Sequence, residues 1–241
     1  MTQSLVVVMA KGASERVPEK NIAPVGDRRL IDFTFDHIAG IKTPRDVTVL
    51  TESKRVAKYC LGRHISWEQP EGGQGQLYAR IDKAVKELEA NRGEPYRYVI
   101  LLQPDCPIRP ANLTDRAIEI MEETGCDIVA SVVQVPVQWH YHRMYAIRAP
   151  GDLAPLAPVD PETGSQSYPV HHVLTGGIYA LSRSHLSRAA YRGGIFPGVH
   201  ARPIVMELSD CVEIDYLEDL EAFRRRVESG DDARLSQPLA W

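Results

Sequence analysis

The sequence predicts an α/β fold on a mainly parallel sheet, and three observations carry that reading. Four short runs, SLVVVMA (Ser4 to Ala10), DVTVLT (Asp46 to Thr51), YVILLQ (Tyr98 to Gln103) and DIVASVVQV (Asp127 to Val135), are apolar almost throughout. Uninterrupted apolar runs of this length are what strands covered on both faces require. Between them lie longer segments with helical apolar spacing, and strand and helix in alternation favour parallel pairing through right-handed crossovers. Finally, 241 residues suffice for one large α/β core, so the whole chain 1–241 reads as one domain.

The elements follow in order. LIDFTFDHIAG, SKRVAKYCLG, LYARIDKAVKELEA and NLTDRAIEIMEETG are the helical segments, and the last three close on Gly or a polar stop. After Val135 the rhythm changes. PVQWHYHRMYAIRAPGDLAPLAPVDPETGSQSYP is rich in Pro, aromatic residues and His, so 136–196 reads as an inserted subdomain of extended strands and a long loop beside the site. CVEIDYLEDLEAFRRRV then gives a short strand and a helix with Leu217, Leu220, Phe223 and Val227 on one side.

Composition excludes several classes. Hydrophobic residues make up 44%, charged residues 25%, and the formal net charge is −4, so no global basic signature points to nucleic acid or a membrane surface. No apolar run approaches the roughly 18 residues of a membrane span, and MTQSLVVVM has no basic leader region, which leads to the expectation of a cytoplasmic protein. Cys60, Cys106, Cys126 and Cys211 are widely spaced and form no CxxC pair, so they read as free thiols without structural zinc.

In parallel sheets ligands bind beyond the carboxyl ends of the strands, which directs attention to the loops Lys11–Asn21, 68–76 and 104–110. In the first, Gly12, Ala13 and Ser14 would let backbone N–H groups approach a phosphate, and Lys11, Arg16 and Lys20 add charge. Neither GxxxxGK[ST] nor GxGxxG is present, and a solvated basic turn fits the charges equally well. In LLQPDCPIRP, Gln103 and Arg109 bracket a strand exit stiffened by prolines, while Cys106, flanked by Pro and far from any His, reads as a buried thiol rather than a nucleophile. Glu213 and Asp215 stand two apart; on a strand both would face one way and suit Mg²⁺, although an acidic cap for the next helix fits as well. WHYHR, with His142 and Arg143, and the pair His171 and His172 read as an electropositive wall for an anion or as packing at a subunit contact.

Four motifs in order resemble the acylneuraminate cytidylyltransferase family, which includes the CMP-sialic acid and CMP-KDO synthetases. They are AKGASERVPEKN (Ala10 to Asn21), LQPDCPIR (Leu102 to Arg109), TGGIY (Thr175 to Tyr179) and EIDYLEDL (Glu213 to Leu220), spread over residues 5 to 225. The resemblance implies a Rossmann-like nucleotidyltransferase fold with a small dimerisation subdomain, a homodimer, and Mg²⁺ as cofactor. It implies CMP transfer from CTP to a small anionic acceptor with loss of pyrophosphate. Lys11, Gly12, Ala13, Ser14, Arg16, Lys20, Asn21 and Pro70 would hold CTP, with Lys20 stabilising developing charge. Asp215, helped by Glu213, would hold the metal, so that Lys20 and Asp215 are the implied catalytic pair. Gln103, Arg109, His142, Arg143, Thr175, Gly176, Tyr179 and Phe196 would face the acceptor.

Departures from the family pattern concern substrate choice. Lys11 stands for Arg, Glu15 for Lys, Thr175 for Asn and Ser165 for an Arg, while EGGQGQ follows Gln69 and Pro70 in place of a longer loop. Loss of the Arg fork at 11 removes a bidentate phosphate contact. A nonulosonic or KDO-type sugar acid is the default acceptor, a phosphonate or phosphorylated metabolite the alternative, and a nucleotide-binding protein without catalysis the third reading.

Overall fold

Seven strands form one sheet in the order 201–206, 128–134, 172–182, 98–102, 4–9, 45–50 and 66–68. The computed structural model describes residues 4–12, 14, 16–61, 66–68, 77–158, 164–192, 194–196 and 198–230, with backbone alone for 66–68 and 192. The central strands are those the apolar runs announced: β1 (Ser4–Met9), β4 (Arg45–Leu50), β6 (Tyr98–Leu102) and β7 (Ile128–Gln134). β5 (Ser66–Glu68) and β11 (Ala201–Met206) are the two edges. All pairs are parallel except those of β10 (His172–Ser182), which runs antiparallel between β6 and β7. The fold is therefore α/β with a mainly parallel sheet, as the sequence predicts.

Strand alternation divides the core. Val6 and Val8 face α1 (Leu30–Gly40), α2 (Lys54–Leu61) and α4 (Leu113–Thr124), whose Phe35, Val56 and Met121 are buried there. Leu5 and Val7 face α3 (Leu77–Arg92) and α5 (Arg183–Arg192), through Ile81, Val85 and Leu186. α1 starts where the Asp32 carboxylate accepts the Arg29 backbone N–H at 2.8 Å, and α4 ends on Gly125 at φ +62, a left-handed position that suits glycine.

A third, smaller core sits at the carboxyl end of the sheet. Val17, Val25, Leu30, Phe33, Ile108, Ile214, Leu220 and Phe223 pack together there. They join the loop after β1, the small ribbon of β2 (Pro24–Val25) and β3 (Arg28–Arg29), the exit of β6, and α6 (Leu217–Ser229). This core holds three functional loops in one place.

Two expected elements take another form. The stretch 136–196 is divided, because His172–Ser182 is a central strand and Arg183–Arg192 covers the sheet; the part outside it comprises short 3-10 turns and a hairpin of β8 (Tyr145–Arg148) and β9 (Asp152–Pro155). Cys211–Asp215 is not a strand: it runs irregularly, and Ile214 N–H donates to the Asp105 carbonyl at 2.8 Å.

Candidate active site

The loop after β1 is shaped by its neighbours before any ligand is considered. A Cβ on Gly12 would lie 2.2 Å from Ser53 Cβ, so only glycine lets this backbone approach the turn after β4. The Gly12 N–H donates to Glu52 Oε1 at 2.9 Å, and buried Asn21 donates its amide to the Lys11 carbonyl at 2.7 Å. Asn21 thus fixes the loop from within. Ser14 accepts the Val17 N–H on its Oγ at 3.4 Å, and the exposed Lys11 side chain projects from the same stretch. Ala13, Glu15 and Pro70 lie outside the described residues.

Lys20 is the centre of the constellation. It is 7% exposed, and its Nζ donates to Asp105 Oδ2 at 2.8 Å and to the Ile214 carbonyl at 2.6 Å, with Asp215 Oδ1 at 3.6 Å. Arg16 reaches Asp215 Oδ1 from the other side at 2.8 Å, its guanidinium lying 4.8 Å from the Tyr216 ring centre. The chain has thus gathered two cations and the carboxylates of Asp105 and Asp215. Glu213 adjoins them. Although that residue is exposed overall, its carboxyl is hemmed by protein atoms; this desolvation, then the charges of Asp215 and Asp105, raise its pKa above the ordinary value.

Asp105 belongs with this group, although the reading of the loops gave it no role. Its Oδ2 takes Lys20, whereas its Oδ1 is buried and has no hydrogen-bond partner among the described residues. A buried acceptor without a partner is rare enough to ask for one. The signal available in the sequence was a carboxylate held between prolines just past a buried strand.

Two of the expected acceptor residues, Arg109 and Thr175, build the wall instead. Arg109 is turned inward: its Nε donates to the Gly177 carbonyl at 2.7 Å, Nη1 to Thr34 Oγ1 at 3.2 Å and Nη2 to the Gln103 carbonyl. Burial lowers its pKa to about 10, opposed by Cys106 and Asp105. With those donors committed, it braces the β6 exit rather than facing a pocket. Thr175 is likewise buried, its hydroxyl donating to Ser131 Oγ at 2.7 Å. Cys106 donates to the Thr175 carbonyl at 3.3 Å, and burial pushes its thiol up to about 12, which makes it inert as a nucleophile.

Gly176 marks the irregular step in β10. It has φ +66, and a Cβ there would meet Cys106 Sγ and Gln103 Oε1, each at 3.1 Å, so the Gln103 amide lies directly over a bare backbone. Tyr179 packs edge-on against Phe196 at 6.3 Å. Its hydroxyl is pushed up to about 12, chiefly by burial and then by Tyr78, Cys106 and Glu213. Gln103 and Gly176 thus meet at the exit of β6 beside β10, and Tyr179, which feels the Glu213 charge, packs with Phe196. His142 and Arg143 do not join them: among the described residues, no hydrogen bond, ion pair or ring contact links either to that set. His142 instead packs with His140, Tyr168 and His171, where His140 stacks on His171 at 4.3 Å.

A family model described as cytidylyltransferase matches residues 5–144. The CMP-N,N'-diacetyllegionaminic acid synthase of Legionella pneumophila is 24% identical over 238 residues, covering 95% of this chain and 98% of that protein. Among solved structures, a CMP:2-keto-3-deoxy-manno-octonic acid synthetase complexed with CTP superposes with a TM-score of 0.72 at 15% identity, covering 95% of this chain and 99% of that one. The 4-diphosphocytidyl-2C-methyl-D-erythritol synthase of Anaerococcus prevotii gives 0.65 at 11% identity, over 94% and 99%. These structural likenesses show a shared Rossmann-like nucleotidyltransferase fold. Since the family match spans more than half of the sequence and includes Lys20 and Asp105, the chain belongs to the cytidylyltransferase family and is a CTP-dependent nucleotidyltransferase.

Proposed function

We propose that the enzyme transfers CMP from CTP to a small anionic acceptor, a nonulosonic or KDO-type sugar acid, with release of pyrophosphate. The observation that carries this reading is the buried Lys20 ammonium set between Asp105 and Asp215 at the end of a glycine-shaped loop. An acceptor hydroxyl oxygen attacks the α-phosphorus and gives up its proton to solvent; as that P–O bond forms, the bond from the α-phosphorus to the oxygen it shares with the β-phosphate breaks and pyrophosphate takes the electron pair. Such transfers depend mainly on alignment and charge neutralisation. Lys11 would receive phosphate oxygens, while Lys20 and Arg16 offset charge that develops on the transferring group.

The donor set suits Mg²⁺. Asp105, Glu213 and Asp215 offer hard oxygen ligands, and the unpartnered Oδ1 of Asp105 is available for one. Among the described residues no group of three acidic, His or Cys side chains stands ready as a complete cage, in keeping with an ion that takes one or two carboxylates and completes its shell from water and phosphates. Bound there, the ion would neutralise phosphate charge. Without it, Lys20 and Arg16 hold Asp105 and Asp215 in place.

The legionaminic acid relative supports a sugar acid. The inward turn of Arg109 favours the phosphonate or phosphate alternative, because no carboxylate clamp remains at that position. Incubating the protein with CTP, Mg²⁺ and each acceptor class while following pyrophosphate separates the two. Release with a nonulosonic or KDO acid is expected; release only with a phosphonate or phosphate overturns the sugar-acid reading.

The hairpin supports a homodimer. Ile147 and Leu153 face each other across β8 and β9 and are 79% and 69% exposed, with Trp139 at 65% and Val205 at 60%. Apolar exposure on this scale marks an interaction surface. Ile147→Asp should convert a sedimenting dimer to monomer; an unchanged sedimentation coefficient would remove the hairpin from the interface. Among the described residues no helix is long and apolar enough to cross a membrane.

A further inference from the structure

Arg80 stands in the first turn of α3, half-buried, and its Nε is shielded from solvent with no hydrogen-bond partner. Among the described residues it makes no hydrogen bond or ion pair. Its neighbours on the same helix behave otherwise: Asp82 receives Arg183 at 2.7 Å and Lys86 at 2.7 Å, and Glu89 receives Arg183 at 2.7 Å. A guanidinium with a buried and idle donor is costly to keep, and its planar fork is suited to two oxygens of one anion.

The position of Arg80 selects the anion. Asp82 and Glu89 mark the flank of α3 that packs on α5, and α5 lies over β10 and β6. At 100° per residue Arg80 is about 200° from Asp82, on the opposite flank. Ala84, one turn further along the helix, is buried in the core between α3, α5 and the sheet. Because β5 runs parallel to β4, the helix that follows begins at the carboxyl edge of the sheet, where the Lys11–Asn21 loop leaves β1. The β6 and β10 side holds Gln103, Gly176 and Tyr179. Arg80 stands on the opposite flank of α3, toward the β4 and β5 side of the same edge.

We infer that Arg80 is a phosphate anchor for the nucleotide, a binding residue for CTP distinct from the cations of the β1 loop. The inference rests on the CTP-dependent reading of the site. Calorimetry of CTP binding tests it with the wild type, Arg80→Gln and Arg80→Lys, alongside displacement of CTP by cytidine, which lacks the phosphates. Arg80→Gln should weaken CTP at least about tenfold, converting to roughly 1.4 kcal/mol, and leave cytidine within about twofold; Arg80→Lys should recover part of the loss. CTP affinity within about twofold of wild type in Arg80→Gln overturns the inference, as does an equal loss for CTP and cytidine, which marks a structural role. If Arg80→Gln fails to fold, Arg80→Lys decides, since unchanged CTP affinity on removal of the fork is equally fatal. A wild-type protein that does not bind CTP would instead overturn the nucleotide reading itself.

Discussion

Replacing Lys20 by Met should lower turnover by about 10²- to 10³-fold, the loss expected when a preorganised charge aimed at a transition state is removed. The size follows from the setting. The ammonium is almost wholly enclosed, its donors are directed at Asp105 Oδ2 and the Ile214 carbonyl, and Asp215 stands 3.6 Å away. A charge fixed by protein partners needs no reorganisation when negative charge grows nearby. The same substitution should also destabilise the fold. It leaves the Asp105 carboxylate, three-quarters shielded from solvent, without its cation, and such a broken pair costs about 1–3 kcal/mol. Steady-state kinetics and thermal unfolding read the two effects separately. A change confined to KM would show that Lys20 binds ground and transition states alike; an unchanged melting temperature would show that Asp105 finds another partner.

How much of this could be read from the residues depended on burial. β1, β4, β6 and β7 are covered on both faces, so their sequences are apolar without interruption and announce themselves. β11 does not: ARPIVM carries Arg202 and Pro203 because it is an exposed edge, where a missing N–H can face solvent. β10 hides its nature for two reasons. It begins exposed, and its centre is a glycine-rich irregularity at 175–177 whose left-handed Gly176 breaks any period-two pattern. Conversely, Cys211–Asp215 alternates like a strand but takes no place in the sheet, being held by the Ile214 N–H on the Asp105 carbonyl, by Lys20 on the Ile214 carbonyl and by the burial of Ile214.

The site divides in the same way. Loop residues with small side chains and cations are legible because their chemistry is local: Gly12 is needed by its contact with Ser53, and Lys20 lies in the same short loop. Asp105 and Arg109 are not. Both sit in one proline-bounded loop, yet one turns toward Lys20, 85 positions away, and the other toward the Gly177 carbonyl, 68 away. No pattern within the loop tells these orientations apart. The partners that decide them lie on β10 and beyond β1, and only the folded sheet brings them together.

Asp215→Asn is expected to abolish nearly all Mg²⁺-dependent turnover, by at least about 10²-fold, while leaving the fold intact. The two parts have separate causes. Asp215 is the acid that both Arg16 and Lys20 approach, at 2.8 and 3.6 Å, and the amide would keep its shape while giving up the anionic oxygen that the proposed ion requires. Stability responds differently, because Asp215 is the largest charge raising Glu213, second only to desolvation. A carboxyl whose folded pKa is raised favours the fold when protonated. Its contribution is complete below the ordinary value of 4.5 and is lost as pH rises through the raised one. Asp215→Asn lets the Glu213 pKa fall back toward that ordinary value, so less stability is lost over the same window. Since Glu213 is exposed as a residue, the gain is screened and small. Melting curves in chelator from pH 4.5 upward should therefore fall less steeply for the variant than for the wild type, and at neutral pH the variant should melt no lower. Near-normal turnover in Asp215→Asn would remove it from the metal site; a steeper fall with pH would show that its bonds to Arg16 and Lys20 outweigh its repulsion of Glu213.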